Sequence, residues 1–418
     1  MTNAVFVAPY LLEATVRFID TAARLPGVRL GVVTQESDAG LPPVLRESLA
    51  AHWRVDDALD PVQIAWGVEG LRPRLGGIDR LMGALEQLQV PLGQVRDALG
   101  IRGMDAATAA NFRDKARMKD VLRAAGVPCA RHRLAASADD AWAFATEVGF
   151  PLVVKPPAGA GARSTYRLDE PDALRDWLAA AAPTPGDPAL LEEFLVGEEH
   201  SFDSITVDGE LRWYSVSDYL PTPLEVLRNP WMQWAVLLPR EVDGPQYAGI
   251  REAAPAALRA LGLRTGLTHM EWFRRPDGSV AVSEVAARPP GAQITAMLSY
   301  AHDVDFPKVW AQLMLLDEFT PPQRRWAAGT VYLRGQHPSG RVGGDGKVGE
   351  GRVAAILGLD ELQAELGHLV VEARLPTPGQ LPSGTYEGEG WVIVRHADTA
   401  VVVEALRRLT GGLRVELA

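Results

Sequence analysis

Two glutamates lie on adjacent segments that are typical of a β-hairpin, and such a hairpin restricts where both carboxylates can point. Glu271 lies in THMEWFRR, Glu284 lies in SVAVSEVA, and the turn between them is RPDG at residues 275–278. On both sides of this turn the residue pattern alternates with a period of two, which predicts a pair of β-strands. Side chains of equal parity share a face, and two close carboxylates repel unless a cation lies between them. We therefore predict a magnesium site; the alternative is two glutamates on a solvated hairpin face.

A second segment, PLVVKPPAGAGARSTYRL at residues 151–168, has the composition of a phosphate-binding loop between two strands. Lys155 ends an apolar run, and a Gly-rich turn at 158–165 follows it. The pattern is strand–loop–strand, so it matches neither a P-loop nor a dinucleotide fingerprint. A flexible turn can still place backbone N–H groups over phosphates, with the lysine as a point charge. The alternative is an ordinary hairpin with an exposed lysine.

A third segment, LLEEFLVGEEHSFDSITV, joins an apolar strand to a longer alternating strand through an acidic junction. Acidic side chains and free backbone groups at such a junction can bind an amino-purine edge and a ribose, and apolar neighbours can contact the base. The candidates are Glu192, Glu193, Leu195 and Glu199. The alternative is an exposed acidic turn.

The fourth segment, NFRDKARMKDVLRAAGVP, predicts a helix capped by Asn111 or Asp114 and ended by Gly126. Lys115 falls in its first turn, where a cation opposes the helix dipole. The lysine therefore either has a functional reason for its position or is simply solvated.

The order of these four segments over residues 111–291 resembles the ATP-grasp superfamily. In that family, a DKxxxKxxLxxxGVP helix precedes a strand ending in lysine, a glycine-rich lid loop, an EExxxGxE segment and a final E…ExxxR hairpin. The resemblance implies an α/β (α+β) ATP-grasp fold. It divides the chain into an N-terminal doubly wound pre-ATP-grasp domain (1–110), an ATP-grasp domain (111–325, lid subdomain about 127–191) and a β-rich C-terminal α+β domain (326–418). The last of these resembles the C-terminal domain of biotin-carboxylase-like and L-amino-acid-ligase-like members.

The resemblance also implies roles for individual residues. Glu271 and Glu284 would hold Mg²⁺, and Arg288 would stabilise an acyl phosphate and the later tetrahedral intermediate. The implied ATP-binding residues are Lys115, Lys155, Gly159, Gly161, Ser164, Glu192, Glu193, Leu195 and Glu199.

One position departs from the family pattern. Many members read ExNxR, with asparagine as a third metal ligand, whereas this chain has Ala286 there. Alanine offers no ligand atom. The site then holds one magnesium through two carboxylates, waters and phosphates, or has a weaker or altered second metal site, or belongs to a degenerate enzyme.

The overall composition of the chain argues against several classes of partner and of structure. Lys and Arg number 42 against 53 Asp and Glu, so the 418-residue chain has a net charge of −11, which argues against a nucleic-acid partner. Cys129 is the only cysteine, which excludes a disulfide framework. No stretch approaches 18 uncharged apolar residues and the start lacks a basic n-region, so we expect a cytoplasmic protein with no membrane partner.

Periodicity predicts a β-α-β beginning, with strands at 4–8 and 29–34 around a helix at 13–24, and a further helix over 79–99.

Four other features bear on the function of the chain, and each of the first three has two interpretations. The segment 221–245 either lines the substrate pocket, as the family resemblance implies, or caps the core. The glycine-rich segment 340–351 is a nucleotide loop or a flexible connection. His269 should share the face of Glu271, either as support for the metal or as a structural hydrogen-bonded group. A helix beginning near Gln293 could receive a substrate carboxylate.

We therefore predict an ATP-dependent carboxylate–amine ligase that forms a dipeptide-like amide through an acyl phosphate, releasing ADP and phosphate. The implied cofactors are ATP and Mg²⁺, with Mn²⁺ as an alternative metal, and the substrates are small carboxylates and amines, above all amino acids. A homodimer is left open. The alternatives are an ATP-grasp enzyme of purine or formyl-phosphate metabolism and a non-catalytic nucleotide-binding regulatory protein.

Overall fold

The computed structural model describes residues 1–159, 165–336, 351–383 and 385–418. Most of the glycine-rich segment 340–351 therefore lies outside the described residues. Within the described ranges, no helix is both long enough and apolar enough to cross a membrane.

The N-terminal part of the chain is a parallel sheet with helices on both faces. Its elements are β1 (Thr2–Ala8), α1 (Glu13–Ala23), β2 (Val28–Thr34), α2 (Pro43–Ser48), β3 (Ala51–Arg54), α3 (Pro61–Leu75), β4 (Arg80–Met82), α4 (Gln89–Leu99) and α5 (Ala106–Arg113), and the strand order is β3–β2–β1–β4. Residues of β1 alternate between two cores: Phe6 packs with α1, whereas Val5 and Val7 pack with α3 and α4. A strand covered on both faces is apolar almost throughout. The predicted β-α-β beginning is confirmed.

The predicted helix over 79–99 is wrong in its first part. Residues Arg80–Met82 form β4, which pairs in parallel with β1. Leu81 and Met82 bury their side chains in the cores on opposite faces of the sheet, which is the period of a strand. The regular helix begins only at Gln89.

The predicted helix follows, and after it comes the segment that we predict to be the lid subdomain and call the lid below. Asp114 caps α6 (Lys115–Ala124) by accepting hydrogen bonds from the N–H groups of Ala116 and Arg117 at 2.9 and 3.0 Å, and Gly126 has the positive φ of a helix end (+72°). The lid is an antiparallel sheet of order β5–β8–β6–β7 with two helices. Its elements are β5 (His132–Ala135), α7 (Ala138–Val148), β6 (Leu152–Lys155), β7 (Tyr166–Leu168), α8 (Pro171–Ala181) and β8 (Ala189–Glu193). The strands predicted on the two sides of the glycine-rich segment are present and pair antiparallel, whereas residues 160–164 lie outside the described residues.

A large antiparallel sheet forms the floor of the site. The elements of this part are β9 (Glu198–Val207), β10 (Glu210–Leu220), α9 (Pro223–Arg228), β11 (Trp234–Leu238), α10 (Ala248–Leu261), β12 (Gly266–Arg274), β13 (Val280–Ala286), α11 (Ile294–His302) and α12 (Phe306–Leu316). On β12, Met270 and Trp272 pack with α6 and α10, while Leu267 packs with α11 and α12 on the other face. His269 and Glu271 share the parity of Leu267, so they lie on that second face of the sheet.

The C-terminal part continues the same sheet. Its elements are β14 (Ala327–Leu333), β15 (Gly335–Gln336), β16 (Val353–Leu357), α13 (Leu359–Leu366), β17 (Val370–Arg374), β18 (Gly390–His396), α14 (Thr399–Gly412) and β19 (Arg414–Leu417). Among the described residues, eight strands form one sheet of order β13–β12–β9–β10–β11–β14–β18–β17, and β15–β19–β16 form a small separate sheet. The large sheet contains strands from both before and after residue 325, so the domain boundary predicted there stays a prediction.

Candidate active site

The predicted hairpin is present, and it places the two glutamates side by side. Glu271 on β12 pairs directly with Glu284 on β13. The turn closes with the N–H of Arg275 donating to the carbonyl of Ser279 at 2.8 Å, and Gly278 supplies the positive φ (+82°). Both carboxylates line a cleft of about 190 Å³ between the sheet and the lid.

Each of the two carboxylates already has a cationic neighbour. Lys115 Nζ lies 2.8 Å from Glu284 Oε1. His269 Nε2 lies 3.8 Å from Glu271 Oε1, and its Nδ1 lies 2.7 Å from the buried Asp203. Burial lowers the pKa of His269, but Asp203 raises it more, to about 9. Burial raises the pKa of Glu271, and the hydrogen bond and charge of His269 reverse this, so the pKa is lowered. His269 therefore shares the face of Glu271, as predicted, and its proton is fixed by Asp203.

Two buried lysines share a single carboxylate beside this pair. Glu192 lies 2.9 Å from Lys155 Nζ and 3.2 Å from Lys119 Nζ, and Lys119 also donates to the carbonyl of Ser283 at 2.5 Å. Burial raises the pKa of Glu192, but the two ammonium groups lower it by a larger amount, so the pKa lies below its ordinary value. Sequence reasoning assigned Lys155 and Glu192 but missed Lys119, although it is the second lysine of the quoted DKxxxK pattern. Glu192 thus pairs with Lys155, which lines the cleft, and with Lys119, which is fully buried and is not part of the cleft lining.

The described beginning of the glycine-rich segment is bound to the end of α5 and the start of α6. The carbonyl of Gly159 accepts hydrogen bonds from Arg113 at 2.7 Å and from Lys115 at 3.2 Å. Gly161 and Ser164 lie outside the described residues, so their assignment as ATP-binding residues stays a prediction.

The residues predicted to surround the adenosine also line the cleft. The carboxylate of Glu193 accepts from the backbone and side chain of Arg131 at 2.9 and 2.8 Å, and Leu195 is buried. Glu199 is buried too; burial raises its pKa well above the ordinary value, and the charge of Glu271 adds to this rise. Their contacts with a nucleotide stay predictions.

Arg288 enters the cleft from the loop after β13 and is held by a residue from the N-terminal part. Its Nε donates to Glu86 at 2.8 Å, and its Nη1 donates to the carbonyl of Pro289 at 2.9 Å. Arg113 lies 3.5 Å from the other oxygen of Glu86, which is only 5% exposed. Burial lowers the pKa of Arg288, and Glu86 raises it by more. Sequence reasoning missed Glu86, because no local pattern marks it.

The remaining wall of the cleft is apolar. The segment 221–245 contributes to it through Pro223, Leu224 and Trp234, which supports the interpretation that it lines a substrate pocket. Tyr219, Ala292, Ile294 and Tyr386 are among the other apolar or aromatic residues of the lining.

The cleft provides two carboxylates that could hold a metal ion. Within the described ranges, no cluster of three or more His, Cys, Asp or Glu side chains forms a complete metal site. Glu271 and Glu284 provide two carboxylates, and Ala286, which pairs with His269 across the hairpin, adds none. This donor set fits Mg²⁺, because Mg²⁺ commonly takes one or two carboxylates and completes its shell with water and phosphates.

In sequence, the chain is similar to ATP-binding and amino-acid-ligating proteins. Residues 114–205 match the family described as "Carbamoyl-phosphate synthase L chain, ATP binding domain". The chain is 26% identical over 285 residues to an L-arginine-specific L-amino acid ligase of Bacillus subtilis (66% of this chain, 67% of the relative). It is 27% identical over 262 residues to an alanine–anticapsin ligase of Bacillus subtilis strain 168 (57% of this chain, 53% of the relative). The match therefore spans between about half and two thirds of these relatives.

Solved structures establish the fold. The L-amino acid ligase from Bacillus licheniformis superposes with a TM-score of 0.74 at 19% identity, covering 99% of this chain and 98% of that one. The N5-carboxyaminoimidazole ribonucleotide synthetase from Thermotoga maritima gives 0.67 at 18% identity, with 100% and 99% coverage. The chain therefore has the fold of the ATP-grasp proteins, and in sequence it is similar to amino acid ligases that join a carboxylate to an amine.

Proposed function

We propose that the chain is an ATP-dependent ligase that joins the carboxylate of one amino acid to the amine of another. The observation that carries the proposal is the convergence, in one cleft, of a facing glutamate pair, buried lysines and Arg288. The amino acid ligases among the relatives support the substrate class. A cytoplasmic location belongs to the same proposal, because ATP is the co-substrate.

The reaction has two steps. A carboxylate oxygen attacks the γ-phosphorus of ATP, the bond to ADP breaks, and an acyl phosphate forms. An amine then attacks the acyl carbon, the bond to phosphate breaks, and the amine loses a proton as phosphate leaves. Phosphoryl transfer asks mostly for positioning and charge stabilisation.

The residues of the cleft suit these demands. Lys115 and Lys155 would bind ATP phosphates, with Lys155 held by Glu192. Glu271 and Glu284 would hold Mg²⁺ (or Mn²⁺), which neutralises phosphate charge when bound. Arg288 would donate to the oxygens that gain charge, since a guanidinium matches phosphate geometry.

The decisive experiment measures ADP release with ATP, Mg²⁺ and pooled amino acids. Glu284→Gln should abolish release and weaken the binding of Mn²⁺ in the presence of ADP, followed by electron paramagnetic resonance. Glu210→Gln, at an exposed strand end, is the matched control and should change neither. ATP binding without ADP release under any mixture would favour a regulatory nucleotide-binding protein. Full activity of Glu284→Gln would contradict the metal assignment.

A further inference from the structure

The hairpin that carries the two glutamates has one residue more on β13 than on β12. Trp272 pairs with Val282, whereas Glu271, the next residue back along β12, pairs with Glu284. Ser283 is therefore the extra residue of a β-bulge. Bulges re-aim the side chains beside them, and they are frequent next to active sites.

The bulge decides which face of the sheet carries Glu284. Val280 and Val282 pack in the core with α6 and α10, and strict alternation along β13 would put residue 284 on that same face. Because of the extra residue, Val285 takes the core position instead, and Ser283 and Glu284 both line the cleft. The position of the bulge thus determines where the second carboxylate of the pair points.

One face of α6 contacts the bulge. Its residues 115, 118 and 119 are spaced by three and four positions, so they share a face of the helix. These side chains contact three consecutive residues of β13: Lys115 Nζ lies 2.8 Å from Glu284 Oε1, Met118 Sδ accepts from the N–H of Val285 at 3.2 Å, and Lys119 Nζ donates to the carbonyl of Ser283 at 2.5 Å. Among the described strands, β13 is at the edge of the large sheet, so α6 supplies partners where no further strand does.

Lys119 differs from the other lysines of the site because it does not face the cleft. Its side chain is fully buried and is not part of the cleft lining. Besides the carbonyl of Ser283, it contacts Glu192 at 3.2 Å, which balances its charge. A buried carbonyl that loses its donor is unfavourable, so the contact with Lys119 stabilises the bulge at Ser283 rather than elsewhere on the strand.

We propose that Lys119 is a positioning residue for the metal site. By binding the carbonyl of Ser283, together with the contact of Met118 to Val285, it fixes the bulge and thereby holds the carboxylate of Glu284 in the cleft. The inference rests on the function proposed above, in which Glu284 holds the metal. Lys119 itself contacts neither metal nor nucleotide, so its loss weakens metal binding and leaves nucleotide binding without metal almost unchanged.

The first test needs no ligand and follows amide hydrogen exchange of the peptide 280–286 by mass spectrometry. Lys119→Met keeps the apolar stem but removes the donor, so this peptide should exchange about 10-fold faster. Lys308→Met, at an exposed position of α12, is the matched control and should leave the exchange unchanged. Unchanged exchange in Lys119→Met would overturn the proposal.

A milder variant serves if Lys119→Met does not fold. Met118→Leu nearly conserves the volume of the core side chain and removes the sulfur that accepts from Val285. Faster exchange of the peptide 280–286 in Met118→Leu supports the clamping of the bulge by α6, and unchanged exchange would overturn it.

The second test measures the affinity for Mn²⁺ in the presence of ADP by electron paramagnetic resonance, and the affinity for ADP without metal. Lys119→Met should weaken Mn²⁺ binding by about 10-fold, as is typical when a group that orients a metal ligand is lost. ADP binding without metal should change little. Unchanged Mn²⁺ affinity, or an equal loss of ADP affinity without metal, would overturn the positioning role.

A double variant shows whether Lys119 acts through Glu284. In the Glu284→Gln background, Lys119→Met should cause no further loss of Mn²⁺ affinity, because the carboxylate that it positions is already absent. A further loss of about 10-fold would contradict the proposal. Wild-type Mn²⁺ affinity in Glu284→Gln alone would remove the metal assignment and this inference together. Metal binding as expected, without ADP release from any mixture of amino acids, would remove only the ligase function and leave the inference standing.

Discussion

Glu192 balances the charge of two buried lysines, and its replacement tests how much this group of ion pairs stabilises the protein. Its carboxylate is 4% exposed and lies between Lys155 at 2.9 Å and Lys119 at 3.2 Å. Replacing it by glutamine preserves the shape but leaves two buried ammonium groups without their shared counter-charge. Breaking a buried ion pair by removing one partner costs about 3–5 kcal/mol. Glu192→Gln should therefore lower the free energy of unfolding of the ligand-free protein by that amount.

The neighbouring residue provides a matched control. Glu193 pairs with Arg131, whose side chain is 52% exposed. Exposed ion pairs contribute about 0–1 kcal/mol, so Glu193→Gln should have little effect on stability. In thermal melting, at about 2–4 °C per kcal/mol for a domain of this size class, Glu192→Gln should lower Tm by roughly 6–20 °C.

The pH dependence gives a second, independent check. The two lysines lower the pKa of Glu192 below its unfolded value of about 4.3. A carboxyl whose pKa is lowered on folding stabilises the protein above the unfolded pKa, and this stabilisation is lost as pH falls through the folded value. The difference in Tm between the wild type and Glu192→Gln should thus be complete at pH 7 and shrink below about pH 4. Equal Tm values for Glu192→Gln and Glu193→Gln at pH 7 would refute the reasoning.

Two predictions concern the arginine of the cleft. Arg288→Lys should lower kcat by roughly 100-fold, or about 3 kcal/mol, with ATP affinity largely preserved, because a lysine cannot reproduce the guanidinium fork; unchanged kcat would remove Arg288 from the catalytic residues. Glu86→Gln keeps an acceptor for Arg288 but loses the charge that orients it, so kcat should fall by up to on the order of 100-fold while the KM for ATP changes little. A loss of stability in Glu86→Gln with normal kcat per folded molecule would show that Glu86 is only structural.

Sequence patterns that span a few residues predicted much of the fold and many of the charged residues of the cleft. The RPDG turn between alternating segments is sufficient to predict the hairpin of Glu271 and Glu284, because turn chemistry and side-chain parity act over a few residues. The same holds for α6, whose cap at Asp114 and end at Gly126 are both visible in the sequence. By contrast, the three-residue strand β4 could not be distinguished from the following helix, because its short apolar run fits either period.

The sequence by itself therefore determined the glutamate hairpin, helix α6 and several of the charged residues that line the cleft. The tertiary structure decided how these residues are held. Glu86 reaches Arg288 across 202 residues, and Asp203 reaches His269 across 66, and no periodicity links such distant positions. The lining of the cleft likewise brings together Tyr219 from β10, Trp234 from β11 and Tyr386 from a loop. The physical reason is burial. A buried charge needs a partner, and which residues are buried next to each other is decided only by the folded chain.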